Sequence, residues 1–169
     1  TLGGSGNEEP YRMINTLDGG NIIAGSTYSN NGDLETNEGN RDGWLLKLDT
    51  NGIIEWSKTF GGISDDYLTD VIQLEDSSYM LTGILSISNE DVWVMKIDKI
   101  GNKIWEKTFG GNWFDFGLRI AEAKNNIFYV LAGTGSTNDD IPGSHVDSST
   151  FFQPDIWFLE INRNGNLLS

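Results

Sequence analysis

The chain has 169 residues, with 25 Asp and Glu against 11 Lys and Arg and a formal net charge of −14; that balance excludes a surface built to hold a nucleic-acid backbone or an anionic membrane. Only 37% of residues are hydrophobic, no apolar run approaches the ~20 residues of a membrane-spanning helix, and the first residues carry no charged-then-apolar signal segment. Cysteine is absent, which removes disulfides and thiolate metal sites, while 21 Gly and 6 Trp suit many short strands and tight turns.

Thr1 stands where an initiator Met would be, which predicts a piece cut or processed from something longer. The chain opens on TLGG, and TFGG returns at Thr59 and Thr108, so the copies start 58 and 49 residues apart. Such self-similarity fixes the organisation before any single element does: repeat 1 spans 1–58, repeat 2 spans 59–107 and repeat 3 spans 108–169. In repeat 1 the acidic pair Glu8 and Glu9 leads to a strand expected over Tyr11 to Leu17, a turn at Asp18-Gly19-Gly20, and a second strand over Asn21 to Thr27. A long loop from Ser29 to Asp42 follows. The third strand, DGWLLKLD, alternates so that Trp44, Leu46 and Leu48 share a face. Gly52 supplies the turn into a fourth strand, IIEWSKTF.

Repeat 2 keeps the order with Asp65 and Asp66, the pair Thr82-Gly83, a short SISNED loop, then DVWVMKID with Trp93, Met95 and Ile97 in phase, Gly101, and KIWEKTF. Repeat 3 has Asp115, Ala132-Gly133, a loop from Ser136 to Asp155, DIWFLEIN with Trp157, Leu159 and Ile161 in phase, Gly165, and a last NLLS that puts Ser169 in the column of Trp56 and Trp105. Within it GLRIAEAKNN, from Gly117, is helix-favouring in composition. Its place in the repeat predicts strand instead.

Four short antiparallel strands per copy, repeated in tandem with Gly and Trp at fixed places, are the sequence form of a β-propeller blade. The fold expected is therefore all-β: three four-stranded antiparallel meanders forming an arc of a larger or oligomer-completed propeller, because closed rings typically have four to eight blades. Small pairs such as Ala24-Gly25 suit the crowded inner ring and Trp the wider outer part. Joining NLLS to the TLGG of another copy would rebuild most of a strand, which leaves two readings, a homo-oligomer with swapped strands or a cut from a longer array.

The run T-[FL]-G-G, an acidic pair, DGGNIIAGST, SNNGD, DGWLLKLD and NGIIEW resembles the propeller repeats of large exported and surface proteins of Bacteroidetes-type bacteria, many of them associated with type IX secretion. A looser similarity to pyrroloquinoline-quinone-type repeats lies in a strand ending in Asp that leads to Gly and Trp, but no quinone pocket or metal set for it is visible. What the first resemblance implies is a secreted or cell-surface location and a binding or scaffold role, without a ligand.

Three groups of residues carry the functional expectations. Trp113, Phe114 and Phe116, with Phe151 and Phe152, do not recur between copies, so they are candidate platforms for a glycan or a partner protein; packing onto their own blade is the competing reading. Asn30, Asp33, Asn138, Asp139 and Asp140 in the two long loops are candidate oxygen ligands for calcium, against self-bonded Asx turns. No cofactor other than calcium is expected. The acidic column of Glu8 and Glu9, Asp65 and Asp66, and Asp115 reads either as a ring of cation-binding carboxylates or as turn-capping carboxylates. Catalysis has little support: His145 is the only histidine, so triads and histidine-rich metal sites are out. A non-catalytic interaction module is thus favoured, with a fragment of a propeller polysaccharide hydrolase or lyase as the alternative.

Overall fold

The computed structural model describes residues 1–34, 36–87, 89–138, 140 and 154–169. Among them the protein is all-β: three antiparallel sheets follow one another along the chain, with one 3₁₀ turn and no α-helix. The first sheet is β1 (Glu8–Asn15), β2 (Asn21–Thr27), β3 (Asp42–Leu48) and β4 (Ile54–Phe60), in that spatial order. The second is β5 (Tyr67–Gln73), β6 (Tyr79–Ser86), β7 (Glu90–Ile97) and β8 (Lys103–Phe109). The third, β9 (Asp115–Glu122), β10 (Ile127–Thr134) and β11 (Asp155–Asn162), has three strands.

That third sheet corrects the expectation of three four-stranded meanders. Only Asn166 to Ser169 follow the turn at Gly165, too few to form a strand. They begin one nevertheless: Leu167 bridges Ile161, and the Ser169 N–H and C=O both bond to Glu160. Two smaller corrections concern the first strand and the helix-favouring segment. β1 starts at Glu8, three residues earlier than expected, because Pro10 is tolerated on an edge strand where no ladder N–H is missed; Leu17 belongs to the turn. GLRIAEAKNN is strand to Glu122 and closes in a single 3₁₀ turn at Lys124–Asn126, with Asn125 at φ 64. Pairing with β10 overrides helix propensity here.

Register shows how closely the repeats match. Each first strand carries one bulged residue at the same column, Tyr11, Thr69 and Leu118, just before the pairs Arg12↔Ala24, Asp70↔Thr82 and Arg119↔Leu131. Next to the first two bulges a glycine of the second strand sits under the first strand's backbone. A Cβ on Gly25 would strike the Glu9 carbonyl and one on Gly83 the Tyr67 carbonyl, so the close approach requires glycine.

The third strands of the first two sheets are buried on both faces, whereas β11 buries only its Trp face. The Trp faces of β7 and β11 pack backward onto the preceding sheet: Trp93, Met95 and Ile97 join Ile22, Ala24 and Leu45, while Trp157, Leu159 and Ile161 join Met80, Val92 and Val94. The first strands carry the rest of the junctions, β5 packing across β1, β2 and β3 and β9 across β5, β6 and β7. A chain of polar links runs along the first strands as well. The Arg12 guanidinium is 3.2 Å from Asp70, which also accepts the Ile120 N–H at 3.0 Å.

Candidate binding surface

The edge of each sheet where the first strand begins, the second ends and the third begins carries the loops expected to bind. In each sheet one carboxylate organises that edge. Glu8 accepts from Thr27 and Ser29 hydroxyls, Asp66 from the Gly62 and Ser86 N–H groups, and Asp115 from the Gly111 N–H and the Ser136 hydroxyl. These are capping contacts of the kind short acidic side chains make at turns. The other acidic residues of the column are used differently: Asp65 accepts from Asn40, and Glu9 pairs with Arg41.

The loop oxygens expected to hold calcium hold the Gly-Gly turns. Asp33 and Gly3 bond reciprocally, the Gly3 N–H to Oδ2 at 2.8 Å and the Asp33 N–H to the Gly3 carbonyl at 3.1 Å. Asp140 and Gly110 repeat this with both bonds at 3.4 Å. Asn138 Oδ1 accepts the Asn112 N–H at 2.9 Å. Asn30 is exposed. Asp139, Phe151, Phe152 and His145 lie outside the described residues. Among the described residues no three acidic or histidine side chains gather into a metal-ligating group.

The three remaining aromatics separate. Phe116 shares a register column with Glu9 and Tyr67, pairs with Gly133, and its ring fills the space a Cβ there would take, so it packs on its own sheet. Phe114 is half-buried. Trp113 is 57% exposed, with its ring centroid 5.6 Å from that of Phe114; its ring edge lies against Gly135, and the Trp113 backbone N–H donates to the Ser136 hydroxyl. Beside it Asn112 and Asn138 spend their carbonyl oxygens on backbone N–H groups, Asn112 accepting from Thr137 at 3.3 Å. Their NH₂ groups make no hydrogen bond within the described residues. An exposed indole flanked by two uncommitted amide donors is the chemistry that stacks on a sugar ring and binds its hydroxyls.

A second cluster on the same edge escaped the sequence reading. Arg41 is almost fully buried, pairs with Glu9, and donates to the hydroxyls of Ser26 and Tyr11 at 2.9 and 2.8 Å. Its guanidinium lies 4.2 Å from the Tyr67 ring centroid and 5.1 Å from that of Tyr28. Glu9 is held below the usual carboxylate range, first by the Tyr11 hydroxyl and then by Arg41. The available signal was an arginine directly before the third-strand Asp, where the other repeats have Glu90 and Pro154.

At the opposite edge, a groove of about 450 Å³ between the first and second sheets is lined by Asp18, Glu55, Trp56, Gln73, Ser77, Tyr79, Lys99 and Ile100. Two carboxylates beside aromatics invite a comparison with glycoside hydrolysis, which needs one protonated acid and one carboxylate. The buried Lys47 ammonium lies 3.0 Å from Asp18 and 2.7 Å from Glu55. The Thr16 hydroxyl, the Gly20 N–H and then Lys47 hold Asp18 down at about 2, so Asp18 has no proton to donate near neutrality. The groove thus lacks the acid on that side. No helix of the described residues is long and apolar enough to cross a membrane. No protein-family model matches the chain, and no curated protein matches it.

Proposed function

We propose that the three sheets are consecutive blades of a β-propeller arc and that the chain is a non-catalytic interaction module of an exported or cell-surface protein, binding a glycan through Trp113. Blade-like packing supports the arc: the second and third sheets each lay their Trp face on the one before, and their first strands, β5 and β9, each contact three strands of that preceding sheet. The exported or surface location rests on the resemblance of the repeats. The binding role rests on one observation, the exposed Trp113 face with the NH₂ groups of Asn112 and Asn138 beside it, which make no hydrogen bond among the described residues. Tyr11 and Tyr28, both partly exposed around Arg41, extend the same edge toward the first blade.

A glycan array probed with the intact chain and with Trp113→Ala tests this reading. Binding by the parent and a loss of tenfold or more in the variant is the expected outcome, the scale of one stacking aromatic. Equal binding by both proteins removes Trp113 from the surface. Turnover of a bound polysaccharide by the chain would replace the module with an enzyme.

A further inference from the structure

At both blade junctions, an aspartate opening the earlier blade's third strand meets an aspartate opening the later blade's first strand. Asp42 Oδ1 and Asp66 Oδ2 lie 2.6 and 2.5 Å from the point a Cβ on Gly61 would occupy, so they face each other across one glycine. Asp91 and Asp115 meet in the same way across Gly110. Asp42 is 1% exposed, and Asp66 and Asp115 are 0% exposed.

Known partners account for only part of this set. Asp42 Oδ2 accepts the Glu38 N–H at 2.8 Å, both Asp66 oxygens accept backbone N–H groups, and Asp115 Oδ2 accepts the Gly111 N–H and the Ser136 hydroxyl. Asp42 Oδ1, Asp91 Oδ1 and Asp115 Oδ1 are buried with no hydrogen-bond partner. No Lys or Arg among the described residues pairs with any of the four carboxylates. Burial, and then the neighbouring Asp66, push Asp42 above its ordinary range; burial, then Asp115 and Asp140, push Asp91 up to about 6. Carboxylates paired in this way, three of them buried and Asp91 half-buried, are unfavourable until something positive comes between them.

The oxygens around the first pair indicate what fits. The Gly62 and Ser64 carbonyls and Asp42 Oδ1 crowd the space beside Gly39, with the Ser64 oxygen at 2.7 Å and Asp42 Oδ1 at 3.1 Å from its would-be Cβ. Carboxylate and carbonyl oxygens without nitrogen or sulfur are the ligands of a hard cation. Calcium accepts such mixed, irregular sets and completes them with water, whereas magnesium demands a near-ideal octahedron. We propose that each junction binds one calcium-class divalent cation between its two aspartates, Asp42 with Asp66 and Asp91 with Asp115, so that the ion staples neighbouring blades. These ligands differ from the loop oxygens of Asn30 and Asp33. They also explain why two acidic columns, one on the first strands and one on the third, recur together.

Calorimetric titration of the chelator-stripped chain with calcium chloride, together with thermal melts, tests the assignment. The parent should bind two equivalents and melt several degrees higher in millimolar calcium than in chelator. Asp42→Asn and Asp91→Asn should each bind one equivalent and the double variant none, whereas Asp33→Asn retains both. In chelator the isosteric Asn variants should melt at or above the parent temperature, because each removes a buried like-charge contact; this separates lost binding from lost folding. Two equivalents retained by the double variant would overturn the assignment. So would a parent melt that ignores calcium and rises only as the pH falls, which reports a proton shared within each pair. Glycan binding through Trp113 is read separately and stands or falls by itself.

Discussion

The first and third sheets, proposed above as the outer blades, each turn one face away from the second, and the two faces have opposite fates. On the first blade the outward face is the Trp face, with Trp44, Leu46 and Leu48 gathered under Leu34 of the long loop. The Thr59 hydroxyl donates to the Thr36 carbonyl and pins that loop down. On the third blade the outward face presents Ile156 at 83% and Phe158 at 56% exposure, in the columns that hold Val92 and Val94 at the second junction, both fully buried. Apolar character in a column therefore does not decide burial in this repeat. Burial follows from what covers the column, whether a neighbouring blade, a loop or water.

Substitutions in matched columns can break that comparison, and the largest effect falls at a junction. Trp93 is 1% exposed between the first two blades. Trp93→Ala should cost about 3–5 kcal/mol, the range for truncating a buried aromatic, read as a lowered urea midpoint. Leu34→Ala removes the cover of the first blade and should cost about 2 kcal/mol, at the low end for buried leucine, because the loop can partly collapse. Amide exchange would localise the second effect: β3 and β4 should lose protection while β10 and β11 keep theirs, since stability in stacked repeats is nearly a sum of neighbour terms.

Sequence periodicity made the repeated parts legible and the covered loop illegible. Strand order, the Trp columns and the turn glycines follow from TFGG, D-x-W and N-G spacing, and the helix-favouring GLRIAEAKNN is strand to Glu122, as its place in the repeat predicts, with only its last residues in a 3₁₀ turn. Leu34 gave a weaker signal, a match to Ile141 after the corresponding Asp of the other long loop, and its contact with Trp44 and Leu46 is what reveals a role. The same limit applies to the surface residues. Trp113 stood out as a non-recurring aromatic, and Phe116 did too until register placed it in a column with Tyr67. Arg41 works through side chains from four separate segments, at Glu9 to Tyr11, Ser26, Tyr28 and Tyr67, which no linear spacing brings together.

A charge column sharpens the comparison further. Lys47 and Lys96 share a column with Glu160 on the third blade, and Lys47 is held by Asp18 and Glu55. Asp18 has its folded-state pKa lowered, so the contribution of this group is present above the unfolded carboxylate range and is lost as the pH falls from about 4 through about 2. Its carboxylate is more than half exposed, which limits the loss to about 1 kcal/mol or less. Acid unfolding of the parent and of Asp18→Asn should diverge above pH 4 and converge below pH 2. Curves separated by the same amount at every pH would show that Asp18 acts through its turn rather than its charge.

The smallest effect belongs to the bare face. Leu45, Val94 and Phe158 occupy one column, and only Phe158 meets solvent. Leu45→Ala removes side-chain contacts from a filled junction, whereas Phe158→Ala removes a ring that stacks on the Tyr129 ring, 4.8 Å away between centroids. The expected change for Phe158→Ala is within about 0.5 kcal/mol, the range for surface substitutions away from special features, measured as an unchanged urea midpoint. A destabilisation close to that of Leu45→Ala would mean that the outward face of the third blade is covered in solution. The first and third sheets would then be alike, and the contrast between them would belong to the isolated chain rather than to its working state.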